Sequence, residues 1–254
     1  MSDATRDQVR SFLIGCLLGD SHANAVTCQW HWGNVDRQYV EWKAAFVRRH
    51  LGLRCNVWIQ KDPSCKDGFM YCFTAASKKG RLRIYREWFH NKHGRKCITG
   101  RIRHLDHPLG LVTLILDQGS CRGGVTTDSN TGNPYYRKPT VRIHLNAHSE
   151  GELMLFQASL LENFELETTL QRKAGGHLDV YFSTKQTQRL WKILQPHLPE
   201  LAIVKRKFHP LISQTTNAHL IQRDRGVRVD GGESRSSKAS LLHCGDGRRA
   251  GRGA

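Results

Sequence analysis

A single carboxylate, Asp20, closes an almost wholly apolar run from Ser11 to Gly19. In a helix that is the wrong end for an acid, because the terminal carbonyls already place negative potential there; a cation corrects it. The chain repeats the device, with Leu109 to Leu116 again apolar and followed by Asp117, Gln118 and Gly119. One such run reads as a capped core helix, whereas two suggest a shared seam with a metal at its foot. Gly15 and Gly19, four apart, leave one face of the first run without side chains, so a partner backbone can approach closely.

The elements that must position these groups follow from periodicity. Asn24 to Trp32 alternates as a strand does, and Asp36 is placed to cap a helix through His50 whose apolar stripe is Tyr39, Val40, Ala44, Phe46, Val47 and Leu51, stopped by Gly52. Cys55 to Gln60 and Phe69 to Ala75 read as a hairpin joined by a Pro, Ser, Asp and Gly loop, and Leu82 to Phe89 returns to helical spacing. After a basic connector, Pro108 suits the start of the second apolar helix. Cys121 to Thr127 is strand-like, Asp128 to Pro139 turn-rich, and Val141 to Leu145 alternates again. A helix from Glu150 to Asn163, strands at Glu167 to Arg172 and His177 to Phe182, and a helix capped by Ser183 and ended by Pro196 complete the pattern. Both halves therefore read helix, two strands, helix, two strands, helix, and Tyr71-Cys72-Phe73-Thr74 is echoed by Val180-Tyr181-Phe182-Ser183, so a duplicated unit is the economical explanation. The expected fold class is α+β, with two pseudo-symmetric αββαββα halves at 1–105 and 106–208 and a basic, disordered tail at 209–254.

Composition limits the function. Lys plus Arg outnumber Asp plus Glu by 39 to 22, with Trp and Tyr interleaved among the basic residues, a field that attracts a polyanion. The eight cysteines lack Cys-x-x-Cys spacing and read as reduced thiols of an intracellular protein, with bacterial cytoplasm and organelle matrix both compatible. No apolar run approaches the ~18 residues a membrane span needs, and no leader pattern is present.

Leu13-Ile14-Gly15-Cys16-Leu17-Leu18-Gly19-Asp20-Ser21 resembles the signature of the LAGLIDADG homing endonucleases in their single-chain, two-motif form, with Ser21 where glycine is usual. Leu111-Val112-Thr113-Leu114-Ile115-Leu116-Asp117-Gln118-Gly119 is similar to the second copy. Gly94-Arg95-Lys96, the stretch from Glu150 to Leu170, and Gln195-Pro196-His197-Leu198-Pro199 match the expected flanks, so the resemblance covers residues 7 to 208. It implies two motif helices packed as a central seam, a saddle of strands lying along the DNA major groove, and Mg²⁺-dependent hydrolysis of one phosphodiester bond per strand by a monomer encoded within an intron. Such a ribbon of strands fits the major groove, where Gln29, His31, Trp58, Gln60, Arg142, His144, Asn146, Gln171 and Lys173 would read bases. The resemblance puts Asp20 at the position of the first metal-binding acid, with Gly19, Asp117 and Gln118 beside the same ion. It also puts Lys96 and Lys205 near positions where lysines polarise phosphate or position water; the second match needs a one-residue shift, so Val204, Lys205, Arg206 and Lys207 all stand as candidates.

The departure lies at Gln118, which replaces the acid expected immediately before the second glycine. An amide offers a metal one oxygen and no charge, and neighbouring Asp117 is rotated by about 100° on the helix, so cleavage is expected to be impaired or reduced to nicking. The alternative is a non-catalytic DNA- or RNA-binding protein, such as an intron splicing maturase. Zinc ligation by Cys28 with His31, His90 with His93, or His104 with His107 is disfavoured, because no pair finds a second pair at finger-like spacing.

Overall fold

Caps set the starts of the helices. In the computed structural model, which describes residues 5–24, 29–76, 82–127, 129, 131–173 and 175–224, Thr5 and Gln8 form a capping box at the start of α1 (Arg6–Leu18). Asp36 accepts from the Tyr39 amide at 3.0 Å to open α2 (Arg37–Leu51), and Gly52, at φ 64°, closes it in the left-handed conformation that glycine adopts without penalty. Ser149 and Glu152 make a second capping box on α5 (Glu150–Phe164).

The first half runs α1, β1 (His22–Ala23), β2 (Trp30–Asn34), α2, β3 (Val57–Lys61), β4 (Phe69–Ala75) and α3 (Arg83–Phe89). The second runs α4 (Pro108–Gln118), β5 (Gly119–Thr127), β6 (Pro134–His144), α5, β7 (Thr169–Arg172), β8 (Leu178–Phe182) and α6 (Thr184–Leu194). Each half holds a four-stranded antiparallel sheet of one topology, β1-β2-β4-β3 and β5-β6-β8-β7. One face of each sheet packs on the helices through Trp30, Trp32 and Phe73 in the first and Val141, Ile143, Val180 and Phe182 in the second, all buried. The expected boundary at 105/106 falls between a 3₁₀ turn at Gly100–His104 and α4.

The two motif helices cross backbone to backbone. A Cβ on Gly15 would lie 2.0 Å from the Gly110 carbonyl oxygen, and one on Gly110 would lie 2.4 Å from the Ser11 oxygen. Ser11 faces Gly110, Gly15 faces Gly110 and Thr113, and Gly19 faces Asp117, so contacts advance in step and both helices deliver their C-termini to one place.

Three sequence expectations are corrected. His22–Ala23 pairs antiparallel with Trp30–His31, so Asn24 to Trp32 is not one strand; its residues 25–28 lie outside the described ones. β6 begins at Pro134, inside the stretch expected to be turns, because Tyr135 and Tyr136 pair with Thr126 and Val125 in a two-stranded ribbon. Its side chains at Val125, Tyr135 and Tyr136 are exposed, so no buried face marks it in the sequence. Finally, α7 (Ala202–Asp224) runs through the expected tail boundary at 208, carrying Ile203, Val204, Phe208 and Leu211 into the core; residues 225–254 lie outside the described ones. The chain divides by its contacts after Asn217, and both sheets and the helical seam belong to the unit that ends there. No described helix is long and apolar enough to cross a membrane, and the six described cysteines are unpaired in disulfides.

Candidate functional site

At the foot of the seam the ends of α1 and α4 touch through side chains. Gln118 donates from Nε2 to Asp20 Oδ1 at 2.5 Å, Asn34 donates to Asp20 Oδ2 at 3.4 Å, and the Asp20 amide donates to Asp117 Oδ2 at 3.2 Å. The Asp20 carboxylate reaches solvent, but protein crowds most of its surroundings. That crowding, with the Asp117 charge, raises its pKa above the usual carboxylate value; Lys43, Lys207 and Lys96 pull the other way.

Each helix end is met by a lysine from its own half. Lys96 donates to the Gly19 carbonyl at 2.7 Å, and Lys207 donates to the carbonyls of Gly119 at 3.0 Å and of Ile115 and Asp117 at 3.3 Å. A cation at a helix C-terminus satisfies orphan carbonyls and opposes the dipole. Burial lowers both lysine pKa values, partly offset by the Asp20 and Asp117 carboxylates. Among the candidates on α7 it is therefore Lys207, not Lys205, that the structure brings to the seam; Lys205 is exposed and lines a separate cavity with Trp191 and Leu198. One residue along a helix turns a side chain by about 100°, and two carry Lys207 round to the foot.

Asp117 stands in the second run where Gly19 stands in the first, and its side chain crosses the seam. Its two oxygens lie 2.7 and 2.9 Å from Lys43 Nζ, with the side chains 0% and 2% exposed. Burial alone would lower the Lys43 pKa; the Asp117 carboxylate more than compensates and raises it. Lys43 also lies 4.2 Å from the centre of the Tyr39 ring, whose hydroxyl donates to the Thr113 carbonyl at 3.2 Å. Sequence reasoning misses Lys43, although its place is a signal: three after Val40, four after Tyr39 and four before Val47, it sits in the buried stripe of α2.

As a place for a metal ion, this foot offers one available carboxylate. Asp117 is committed to Lys43 and Gly19 O to Lys96, and α4 remains regular to Gln118, so no unwinding turns Asp117 outward. Among the described residues, no three His, Cys, Asp or Glu side chains converge as a metal cluster, for zinc or any other ion. Asp20, and Gln118 if its amide turned its oxygen inward in place of the Nε2 that now faces Asp20, are oxygen donors of the kind a hard divalent cation takes.

The strand pairings decide which faces are free. His31, Trp58 and Gln60 share the face of the first sheet away from the core, with the His31 and Trp58 rings 5.8 Å apart. On the second sheet Arg142 and His144 share the corresponding face with Ser120, Gln171, Asp179 and Tyr181, and the Arg142 guanidinium lies over the Tyr181 ring. Lys173 follows β7 at the edge of that face, whereas Gln29 and Asn146 lie just outside the strands.

A sequence model of the LAGLIDADG DNA endonuclease family matches residues 10–190. No curated protein is similar to the chain by sequence. Among solved structures, the homing endonuclease I-WcaI bound to its DNA recognition sequence is similar at 16% identity and a TM-score of 0.58, over 83% of this chain and 88% of that one. The meganuclease I-SmaMI bound to uncleaveable DNA with a TTGT central four is similar at 9% identity and a TM-score of 0.51, over 88% and 92%. At these identities the likeness is one of fold.

Proposed function

Because the chain belongs to the LAGLIDADG DNA endonuclease family, we propose that it is a homing-type endonuclease that binds one double-stranded DNA site as a monomer and cuts it incompletely, nicking one strand. The free faces of the two sheets lie in successive major grooves, and the basic excess supplies the phosphate contacts. Asp20, with the Gln118 amide oxygen, would hold one Mg²⁺, and the chemistry such an ion would supply there is activation of water near neutral pH and neutralisation of charge on the leaving oxygen. Lys96 and Lys207 bring positive charge to the same spot and favour a phosphate there.

One observation carries the nicking: the foot of the seam presents a single available carboxylate facing an amide, while the adjacent acid is buried against Lys43. The test begins with selection of a bound site from randomised duplexes in EDTA, followed by digestion of supercoiled plasmid carrying it. Nicked circles should accumulate with Mg²⁺, and Gln118→Asp should raise the linear product. Rapid linearisation by the unaltered protein would refute the proposal. Absence of any nick, together with unchanged binding by Asp20→Asn, would favour a binding protein with no cleavage role, on DNA or on intron RNA; the missing second acid is what gives that reading weight.

A further inference from the structure

A polar chain of contacts crosses the free face of the second sheet, outside the seam. Ser120 Oγ lies 2.9 Å from His144 Nε2, and His144 Nδ1 lies 2.9 Å from Asp179 Oδ1. The Asp179 side chain is 0% exposed, and its second oxygen lies 2.8 Å from Lys173 Nζ. Burial disfavours its charge, but hydrogen bonds from Lys173 and His144 win and hold its pKa below the usual range, so it is an acceptor only. Lys173 Nζ is also 3.0 Å from His144 Nδ1, but an unprotonated Nδ1 would set a lone pair against the carboxylate. The geometry therefore places a hydrogen on Nδ1, and where that is the ring's one hydrogen Nε2 is left as an acceptor.

The polarity propagates outward. With Nε2 accepting, the Ser120 hydroxyl must give its hydrogen to the ring, and its oxygen meets the solvent face with lone pairs alone. A phosphate, itself only an acceptor, gains nothing there. In the major groove the matching donors are the exocyclic amino groups of adenine and cytosine.

We propose that Ser120 is a specificity-determining residue that accepts a hydrogen bond from a base amino group, and that Asp179 is the positioning residue that sets this polarity through His144. The inference rests on the DNA-binding reading above. The test is the base preference at each position of the selected duplex, measured by equilibrium binding in EDTA so that cleavage plays no part. One base pair under the second sheet should favour adenine or cytosine by about 5-fold, the worth of one hydrogen bond, and the profile distinguishes the two bases. Ser120→Ala should erase that preference with the thermal midpoint unchanged, and so should removal of the amino group from the favoured base. Asp179→Asn should erase the same preference and no other. Retention of the preference in Ser120→Ala, or its absence from the unaltered protein, would overturn the assignment even if Asp179→Asn failed to fold. If the unaltered protein selects no duplex at all, it is the DNA-binding reading that fails.

Discussion

Lys43 shows how one side chain shapes the foot of the seam. The ammonium is buried and bonded to both Asp117 oxygens across the two halves, so Lys43→Met leaves a buried carboxylate without its cation, with only the Asp20 amide still donating to it. Such a loss typically costs about 3–5 kcal/mol, whereas pairing Lys43→Met with Asp117→Leu should recover most of it; chemical denaturation of the two variants measures the difference. Asp20 behaves in the opposite sense. Its pKa is raised on folding, so its contribution to stability is full below the unfolded value and is lost as pH rises through the folded one. At neutral pH the charged form is therefore a liability, and Asp20→Asn should raise the thermal midpoint while abolishing the nick. Asp20 was legible because an acid that ends an apolar helix contradicts its surroundings, and Gln118 because the family resemblance expects an acid at its position. Lys43 was not, because a lysine in an apolar stripe reads as a solvated charge until its partner, 74 positions away in the sequence, is seen.

Among the elements, the helices and the repeated order were readable from caps and periodicity, and each exception has its own cause. The outer part of the β5–β6 ribbon has little apolar alternation because it is exposed, and α7 carries Pro210, which reads as a stop although the helix continues past it. Which sheet face is free was unreadable for a different reason: alternation gives two faces, and only pairing with neighbours says which one meets the helices. The connection between halves is held by a residue that the sequence presents merely as a cap. Glu152 closes the α5 capping box and also accepts from the Ile98 amide at 2.9 Å and from Arg95 at 2.7 Å. Burial works against its charge, but the hydrogen bonds from Ser149 and Ile98 dominate and bring its pKa from 4.5 down to about 2. Its stabilising contribution is therefore complete above the unfolded value and is lost as pH falls from about 4.5 to about 2. Glu152→Gln keeps the capping box, as Gln8 does in α1, but removes the charge that Arg95 and the Ile98 and Ser149 amides meet, so it should lower stability at neutral pH by about 1–2 kcal/mol and flatten the acid limb of the stability curve in that window.

At the scale of the whole molecule, a nearly two-fold repeat carries a centre that is not two-fold. Both sheets share one topology and both motif helices end at one point, each met by a lysine of its own half, yet the acid of the first half faces an amide of the second. A target read by two different sheet faces has a direction, so the half that holds Asp20 always meets the same strand. Nicks on a duplex labelled separately on each strand should therefore fall on one strand in large excess, and inverting the target within the plasmid should move them to the other. Equal nicking of both strands would mean that Gln118 does not distinguish the centres. Gln118→Asp should restore balance, but it also sets a second carboxylate where an amide now donates to Asp20 at 2.5 Å. Two like charges at that separation repel, so the variant should melt below the unaltered protein in EDTA and gain more from added Mg²⁺, because an ion bound only by the folded state stabilises it in proportion to its occupancy. A variant that gained nothing from Mg²⁺ would show that the foot of the seam cannot gather two acids around an ion, and the asymmetry would then belong to the architecture and not to a single residue.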